Sequence, residues 1–183
     1  MTEISSDNLN KIKKTTTGSA VTLILTANKM QTFHDSILKK LINGQKVNCV
    51  YITLTHPFPK LKTQLHQQKI DMDTFYFIDA ISGNEQIKDE QCTYVQSPQA
   101  LTQISLAIDS ALQVGAFNLL VLDSLSALLN YTNIETAEKF AKFLVNKLKN
   151  YGIGGLMLFI DDEKSLKLAR IMAQFCDDQI TIN

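Results

Sequence analysis

The sequence predicts a three-layer α/β fold, an αβα sandwich with helices on both faces of a mainly parallel sheet. Two short runs, Leu119–Leu122 and Gly155–Ile160, contain only apolar residues and glycine, as is typical of strands buried on both faces. Segments with helical apolar periodicity lie between the strand candidates, which is the arrangement of βαβ units. Right-handed crossovers between parallel strands then place helices on both sides of the sheet.

The first quarter of the chain predicts an arm, a strand and a helix. Residues 1–19 are polar and mildly basic, with Lys11, Lys13 and Lys14, and they predict an N-terminal arm that is flexible or is held only at its end. Residues 20–27 are rich in Val, Ile and Thr and predict the first strand. Residues 33–43 predict a helix, because a stripe of apolar side chains recurs at helical spacing; the stripe consists of Phe33, Ile37, Leu38, Leu41 and Ile42. Gly44 is the expected helix end.

The middle of the chain alternates in the same way. Residues 47–55 predict a second strand that ends before Pro57 and Pro59, and a short polar helix follows at 60–68. A third strand is expected at 75–80, and a polar excursion over 82–96 contains a short strand candidate at 93–95. Ser97 and Pro98 then predict a helix start, and Gly115 predicts its end.

The second half repeats the pattern around the central strand at 119–122. A helix is expected at 134–151, ended by Gly152, and it is followed by the strand at 155–160. A helix at 164–175 and a short strand at 179–182 complete the expected elements. Because no linker rich in Pro or Gly divides the chain, residues 20–183 predict a single domain.

Composition narrows the classes of function. The chain has 183 residues, 45% of them apolar, and its 18 basic residues balance its 18 acidic residues. This balance argues against nucleic acid or an anionic membrane as a partner bound through bulk charge. The N-terminus lacks an apolar signal segment and no apolar run approaches the roughly 20 residues of a membrane span, so we expect a cytoplasmic protein.

Two sets of carboxylates follow strands. Asp123 ends the central strand, at the sheet edge where open α/β folds bind ligands. Asp161, Asp162 and Glu163 follow another strand. These three carboxylates either approach Asp123 and bind a hard cation or form a solvated acidic turn that caps the next helix; the second interpretation is favoured.

The order and spacing of these segments resemble a known superfamily. The segment 119–128, an apolar strand followed by Asp123 and Ser124, resembles the Walker B strand, and residues 147–160 resemble the helix and strand that follow it. The strand at 75–82 and the closing turn at 175–182 also have counterparts in that superfamily. From about residue 19 onward the chain resembles the RecA-like ATPases, most closely the KaiC-like branch found in archaea and bacteria. The resemblance implies a P-loop NTPase fold.

The sequence departs from that family where phosphate would bind. The P-loop motif GxxxxGK[ST] uses backbone amides and a lysine to hold the phosphates, but residues 26–33 contain no glycine. Lys29 and Thr32 are of the right types at the wrong spacing, and Phe33 stands near the expected helix start. The second strand is also followed by no carboxylate that would orient the attacking water. Since phosphoryl transfer depends on positioning and charge neutralisation, we expect most of the family's ATPase rate to be lost.

Two hypotheses for function follow from this comparison. The first is a RecA/KaiC-like pseudo-ATPase that acts in regulation or signalling through a protein partner or self-association, with no cofactor and no membrane partner. The second is an atypical ATP-binding enzyme or sensor with a vestigial site formed by Lys29, Thr32, Asp123 and Ser124, in which Asp123 binds Mg²⁺. A third reading, a DNA-binding recombinase, requires a basic face and is the weakest because the composition is neutral.

Overall fold

The computed structural model describes residues 5–29, 33–43, 46–83 and 89–182. Seven strands form one sheet in the order β4-β3-β2-β5-β6-β1-β7, and every strand pair in it is parallel. The strands are β1 Ala20–Leu25, β2 Cys49–Thr53, β3 Phe75–Asp79, β4 Cys92–Tyr94, β5 Leu119–Asp123, β6 Gly154–Ile160 and β7 Asp178–Ile182. The expected α/β architecture with a parallel sheet is therefore confirmed.

In the described part of the chain, one helix precedes β1 and six helical segments lie between the strands. They are α1 Ser6–Lys13, α2 (a π-helix at Phe33–Leu38 continued by an α-helix at Lys39–Ile42), α3 Phe58–Gln67, α4 Leu101–Val114, α5 Leu125–Leu128, α6 Ile134–Tyr151 and α7 Glu163–Met172. Short 3-10 turns lie at Lys14–Thr17, Ala27–Lys29 and Met72–Thr74. None of these helices is long and apolar enough to cross a lipid bilayer.

The two faces of the sheet carry separate apolar cores. One core joins α4, α5, α6 and α7 to the sheet, through side chains such as Ile108, Leu144 and Leu168. The other joins α1, α2 and α3 to the opposite face, through Ile12, Phe33 and Leu61 among others. Since successive side chains of a strand point to opposite faces, each buried strand contributes to both cores. This explains why the central strands are continuously apolar.

Local signals set both ends of helix α6, and its end at Gly152 is the one expected from the sequence. Helix α6 begins after Asn133, whose side chain accepts a hydrogen bond from the Thr136 amide. It ends at Gly152, which has φ +66°, a left-handed conformation that glycine adopts without steric cost. All five apolar residues expected on the stripe of the 33–43 helix are buried. Gly44, the expected end of that helix, lies outside the described residues.

Some boundaries differ from the sequence prediction. Ser97 does not cap α4; its carbonyl accepts a hydrogen bond from Ala100 in a turn, and the helix begins at Leu101. The second strand is shorter than expected, because the chain turns after Thr53, whose hydroxyl donates to the His56 carbonyl. The last helix ends at Met172 rather than 175.

The N-terminal segment is helical, which corrects the expectation of a flexible arm over 1–19 for residues 6–17. Ser5 caps α1 by accepting a hydrogen bond from Asn8, and Ile12 is fully buried in the core of the α2 face. The 3-10 turn at Lys14–Thr17 lies against β6, since a Cβ added at Gly154 would fall 1.4 Å from the Thr15 carbonyl oxygen. Glycine at 154 therefore permits this close approach of two backbones.

Candidate functional site

The candidate site lies at the carboxyl ends of β2 and β5, which are neighbours in the sheet. Thr53 pairs with Asp123 in the register of these strands. Tyr51 lies two residues before Thr53 on β2, so these two side chains share a face of the sheet. Asp123, the partner of Thr53, points to the same face, which is covered by α2 and α3. Asp123 is thus where the sequence placed it, at the sheet edge on which open α/β folds bind ligands.

Asp123 is fully buried and hydrogen-bonded to hydroxyl groups. Its Oδ2 accepts a hydrogen bond from the Tyr51 hydroxyl at 2.7 Å and another from the Thr55 hydroxyl at 3.2 Å. The exposed fraction of the residue is 0%. Its Oδ1 is buried and has no hydrogen-bond partner among the described residues. Both hydroxyl donors are side chains on and after β2.

A histidine from α2 extends this network. His34 Nε2 lies 2.8 Å from the Tyr51 hydroxyl and 3.8 Å from Asp123 Oδ2. Since the Tyr51 proton is donated to Asp123, the Nε2–H tautomer of His34 donates to the Tyr51 oxygen. Burial lowers the pKa of His34, although the Asp123 carboxylate opposes this. The result is a buried chain of hydrogen bonds from His34 through Tyr51 to Asp123.

The hydroxyl groups of Tyr51 and Thr55, which donate to Asp123, each have a further constraint from neighbouring residues. Burial, and then the negative charge of Asp123, raise the pKa of Tyr51 well above its ordinary value, so Tyr51 keeps its proton and remains a donor. Thr55 lies 3.0 Å from Nδ1 of His56, a half-buried residue in the loop after β2. This loop, rather than a carboxylate, occupies the position that follows the second strand.

The other expected site residues have local structural roles or lie outside the description. The Ser124 hydroxyl caps α5 by accepting a hydrogen bond from the Ala127 amide at 3.1 Å. Lys29 ends the 3-10 turn after β1, and its amide donates to the Thr26 carbonyl at 2.8 Å. That amide is therefore engaged within the turn. Thr32 lies outside the described residues.

The acidic turn at Asp161–Glu163 is a helix cap, as favoured from the sequence. The Asp162 carboxylate accepts hydrogen bonds from the Ser165 amide at 2.9 Å and the Ser165 hydroxyl at 2.6 Å. Among the described residues no group of three or more His, Cys, Asp or Glu side chains is arranged to hold a metal ion. The alternative in which these carboxylates join Asp123 at a cation site is therefore wrong for this part of the chain.

Asp79, which ends β3, is a second buried carboxylate at the same sheet edge. It accepts hydrogen bonds from the amides of Phe58, Ile81 and Ser82 and from the Ser82 hydroxyl. These bonds tie the start of α3 to the turn after β3. With several donors already supplied by the chain, Asp79 has a structural role.

Sequence reasoning missed His34 and Tyr51 as neighbours of Asp123. Strand alternation contained the signal for Tyr51, which lies two residues before the end of β2 and so shares the face of its terminal side chain. His34 had no such signal. Its position depends on how α2 packs over the sheet, and its burial between Phe33 and Tyr51 is a tertiary feature.

Comparison with known proteins identifies the scaffold. No protein-family model and no curated protein sequence matches the chain. Among solved structures it is similar to a KaiC-like protein from the hyperthermophilic archaeon Pyrococcus horikoshii OT3, with a TM-score of 0.66 and 14% sequence identity over 90% of this chain and 70% of that one. The fold is RecA/KaiC-like. Because 298 chains of solved structures match, this scaffold is a common one and does not by itself define an activity.

The residues at the site do not fit the Mg-ATP that this fold family implies. Mg²⁺ needs an accessible carboxylate oxygen, whereas Asp123 is fully buried and its Oδ2 already accepts two hydrogen bonds. The glycines that let a backbone close on phosphates are absent from residues 26–33.

Proposed function

We propose that this chain is a RecA/KaiC-like domain that does not hydrolyse ATP by the route of that fold family and that acts through protein contacts in regulation or signalling. The observation that carries the proposal is the burial of Asp123 behind Tyr51, Thr55 and His34. In a working nucleotide site the equivalent carboxylate is directed at Mg²⁺. Here the corresponding oxygen is hydrogen-bonded inside the core.

Two further features support the proposal. Phe33, the first residue of α2, is fully buried, so the described start of this helix turns an apolar side chain inward. The segment after β2 carries Thr55 and His56 in place of a carboxylate, so the group that would orient an attacking water is also missing. Loss of both positioning and charge neutralisation removes the main sources of rate in phosphoryl transfer.

One observation favours the alternative of an atypical nucleotide sensor. Asp123 Oδ1 is a buried oxygen with no hydrogen-bond partner among the described residues, and such atoms are uncommon in folded proteins. A sensor would use this oxygen after the groups that bury it had moved. The two hypotheses therefore differ in whether Asp123 contributes to binding of Mg-ATP.

Isothermal titration calorimetry with ATP and ADP, each with and without Mg²⁺, separates the two hypotheses. We expect no saturable binding tighter than about 100 μM, which corresponds to about −5.5 kcal/mol. Asp161→Ala, at an exposed carboxylate, is the matched control for Asp123→Ala. Saturable binding below this constant that Asp123→Ala abolishes and Asp161→Ala preserves would establish the sensor instead.

A further inference from the structure

A cavity of about 780 Å³ opens at the amino ends of β2 and β3, at the sheet edge opposite to Asp123. It lies between the ends of α2 and α3 and the segments that lead into the two strands. The five residues of β2 separate it from the site at Asp123, a distance of about 16 Å at 3.3 Å per residue. We call it the amino-edge cavity. Its volume is in the range of small-molecule sites, about 300 to 1,000 Å³.

The lining of the amino-edge cavity combines an apolar floor with a polar rim. Three apolar side chains, each at most 4% exposed, form the floor: Ile42, Val47 and Ile70. Lys46 and Lys69 are exposed residues of the rim. A mainly apolar surface with a few convergent polar groups is the typical composition of a site for a small molecule.

The backbone of both lysines is anchored by an asparagine side chain. The Lys46 carbonyl accepts a hydrogen bond from Asn118 Nδ2 at 3.0 Å, and the Lys69 carbonyl accepts one from Asn43 Nδ2 at 3.1 Å. Each of these bonds joins segments that are distant in the sequence. Both ammonium groups therefore extend from a fixed backbone, as a binding site requires.

Lys69 also has an unusual backbone conformation. Its φ is +58°, and it is the only non-glycine residue with a positive φ among the described residues. Glycine is the usual residue at such a position after a helix, and a side chain there costs about 1 kcal/mol. A lysine kept at this cost indicates that its side chain has a role.

Neither lysine is used within the described part of the chain. Their ammonium groups form no ion pair there. They are not needed as caps for α3, because the Leu65 and His66 carbonyls accept from the amides of Ile70 and Lys69 at 3.2 and 3.0 Å. Two unpaired cations beside an apolar floor are complementary to an anion that carries an apolar group.

We propose that the amino-edge cavity binds a small molecule in which a phosphate monoester is attached to an apolar body. The phosphate contacts the ammonium groups of Lys46 and Lys69, and the apolar body lies on the floor. A phosphate monoester carries about −1.5 to −2 charges at pH 7, which the two lysines match. Asp71, the one carboxylate among the described lining residues, is engaged in its own turn, where its Oδ1 accepts from the Asp73 amide at 3.1 Å. This inference goes beyond the proposed function and does not depend on it.

A ¹H–¹⁵N NMR titration with phenyl phosphate tests the proposal, with inorganic phosphate and phenol as comparison probes. We expect saturable shifts at the amides of Asn48, Lys69 and Asp71, which line the cavity, with a dissociation constant below about 1 mM. Inorganic phosphate lacks the apolar body and phenol lacks the charge. Each should therefore bind at least about tenfold more weakly.

Lys46→Gln and Lys69→Gly should each weaken the binding of phenyl phosphate about tenfold, because each removes one charged contact. Lys69→Gly also places glycine at the positive φ and should not destabilise the fold, so weaker binding in this variant does not reflect unfolding. Lys60→Gln is the matched control. It removes the same charge from an exposed position near the start of α3 and should bind as wild type does.

Three results would overturn the proposal: no saturable shift up to about 10 mM phenyl phosphate, binding that both cavity variants leave intact, or equally tight binding of inorganic phosphate. The reporting amides lie at the edge of the sheet opposite to Asp123. Failure here therefore does not decide whether nucleotide binds at Asp123.

Discussion

A carboxylate that is fully buried and accepts hydrogen bonds from two hydroxyl groups is positioned by the protein core. Asp123 is such a residue, and Tyr51 is its nearer donor, at 2.7 Å. Tyr51 also accepts from His34, so one phenol oxygen connects two buried groups. Removing that oxygen leaves His34 Nε2 without this partner and Asp123 with the Thr55 hydroxyl alone, which is more costly than losing an exposed hydrogen bond.

Tyr51→Phe is expected to lower the free energy of unfolding by about 2 to 3 kcal/mol, near the upper end for a hydrogen bond to a charged group. Tyr76→Phe is the matched control. It removes a half-buried hydroxyl that pairs with Thr93 at 2.8 Å and should cost about 1 kcal/mol. Urea unfolding of both variants measures the difference. If the two variants lost equal amounts of unfolding free energy, the buried network would contribute no more to stability than a peripheral hydrogen bond.

His34 should make stability depend on pH. Burial lowers its folded-state pKa below the ordinary value of 6.5, so between the two values the unfolded chain binds more protons than the folded one. The neutral, buried His34 therefore contributes its full stabilisation above pH 6.5. Below this pH the free energy of unfolding falls as the pH falls, by up to about 1.4 kcal/mol per pH unit. Urea unfolding between pH 7.5 and 5.5 should show a steeper slope for wild type than for His34→Gln.

His66→Gln provides the control for that slope. His66 is an exposed residue of α3, and we expect its variant to keep the wild-type pH dependence. If His34→Gln also kept that slope, the neutral buried imidazole would not be the origin of the effect.

At the level of elements, the close contact between the N-terminal segment and β6 depends on a single glycine. A Cβ at Gly154 would meet the Thr15 carbonyl at 1.4 Å, whereas a Cβ at Gly152 has no atom within 4 Å. The two residues lie at the same junction between α6 and β6 but face different constraints. Gly152 is constrained by its positive φ, and Gly154 is constrained by the backbone of Thr15, which lies against it.

Gly154→Ala should therefore cost about 3 kcal/mol, the upper range for overpacking, and should loosen the segment at 5–17. Gly152→Ala should cost about 1 kcal/mol, the penalty of a left-handed conformation, and leave that segment in place. Limited proteolysis together with urea unfolding measures both effects. Equal stability and equal cleavage near residue 14 in the two variants would contradict the contact.

The elements that the sequence predicted best were those with strong periodicity. The helix at Ile134–Tyr151 has the expected bounds, because its apolar stripe and its C-terminal glycine agree. Helix α1 was missed because it is short and polar, and only Ile12 ties it to the core. The start of α4 was misplaced because Ser97 and Pro98 form a separate turn before the helix.

At the level of the whole molecule, the sequence predicted the layer architecture and the position of Asp123 but not its surroundings. A buried apolar run ending in Asp indicates a strand end at the ligand-binding edge of the sheet. Which hydroxyl or imidazole groups contact that Asp depends on sheet register and on the packing of α2. Neither is contained in local periodicity, so Tyr51 and His34 emerged only from the folded chain.

The proposed function requires that Mg-ATP does not bind at Asp123, and a ¹H–¹⁵N NMR titration of the wild-type chain with Mg-ATP tests this most directly. The amides of Thr26, Lys29, Ser124 and Leu125 report on the edge of the sheet where the nucleotide would bind. We predict no saturable shift at these amides up to millimolar nucleotide. Saturable shifts clustered there, with a dissociation constant below about 100 μM, would contradict the account.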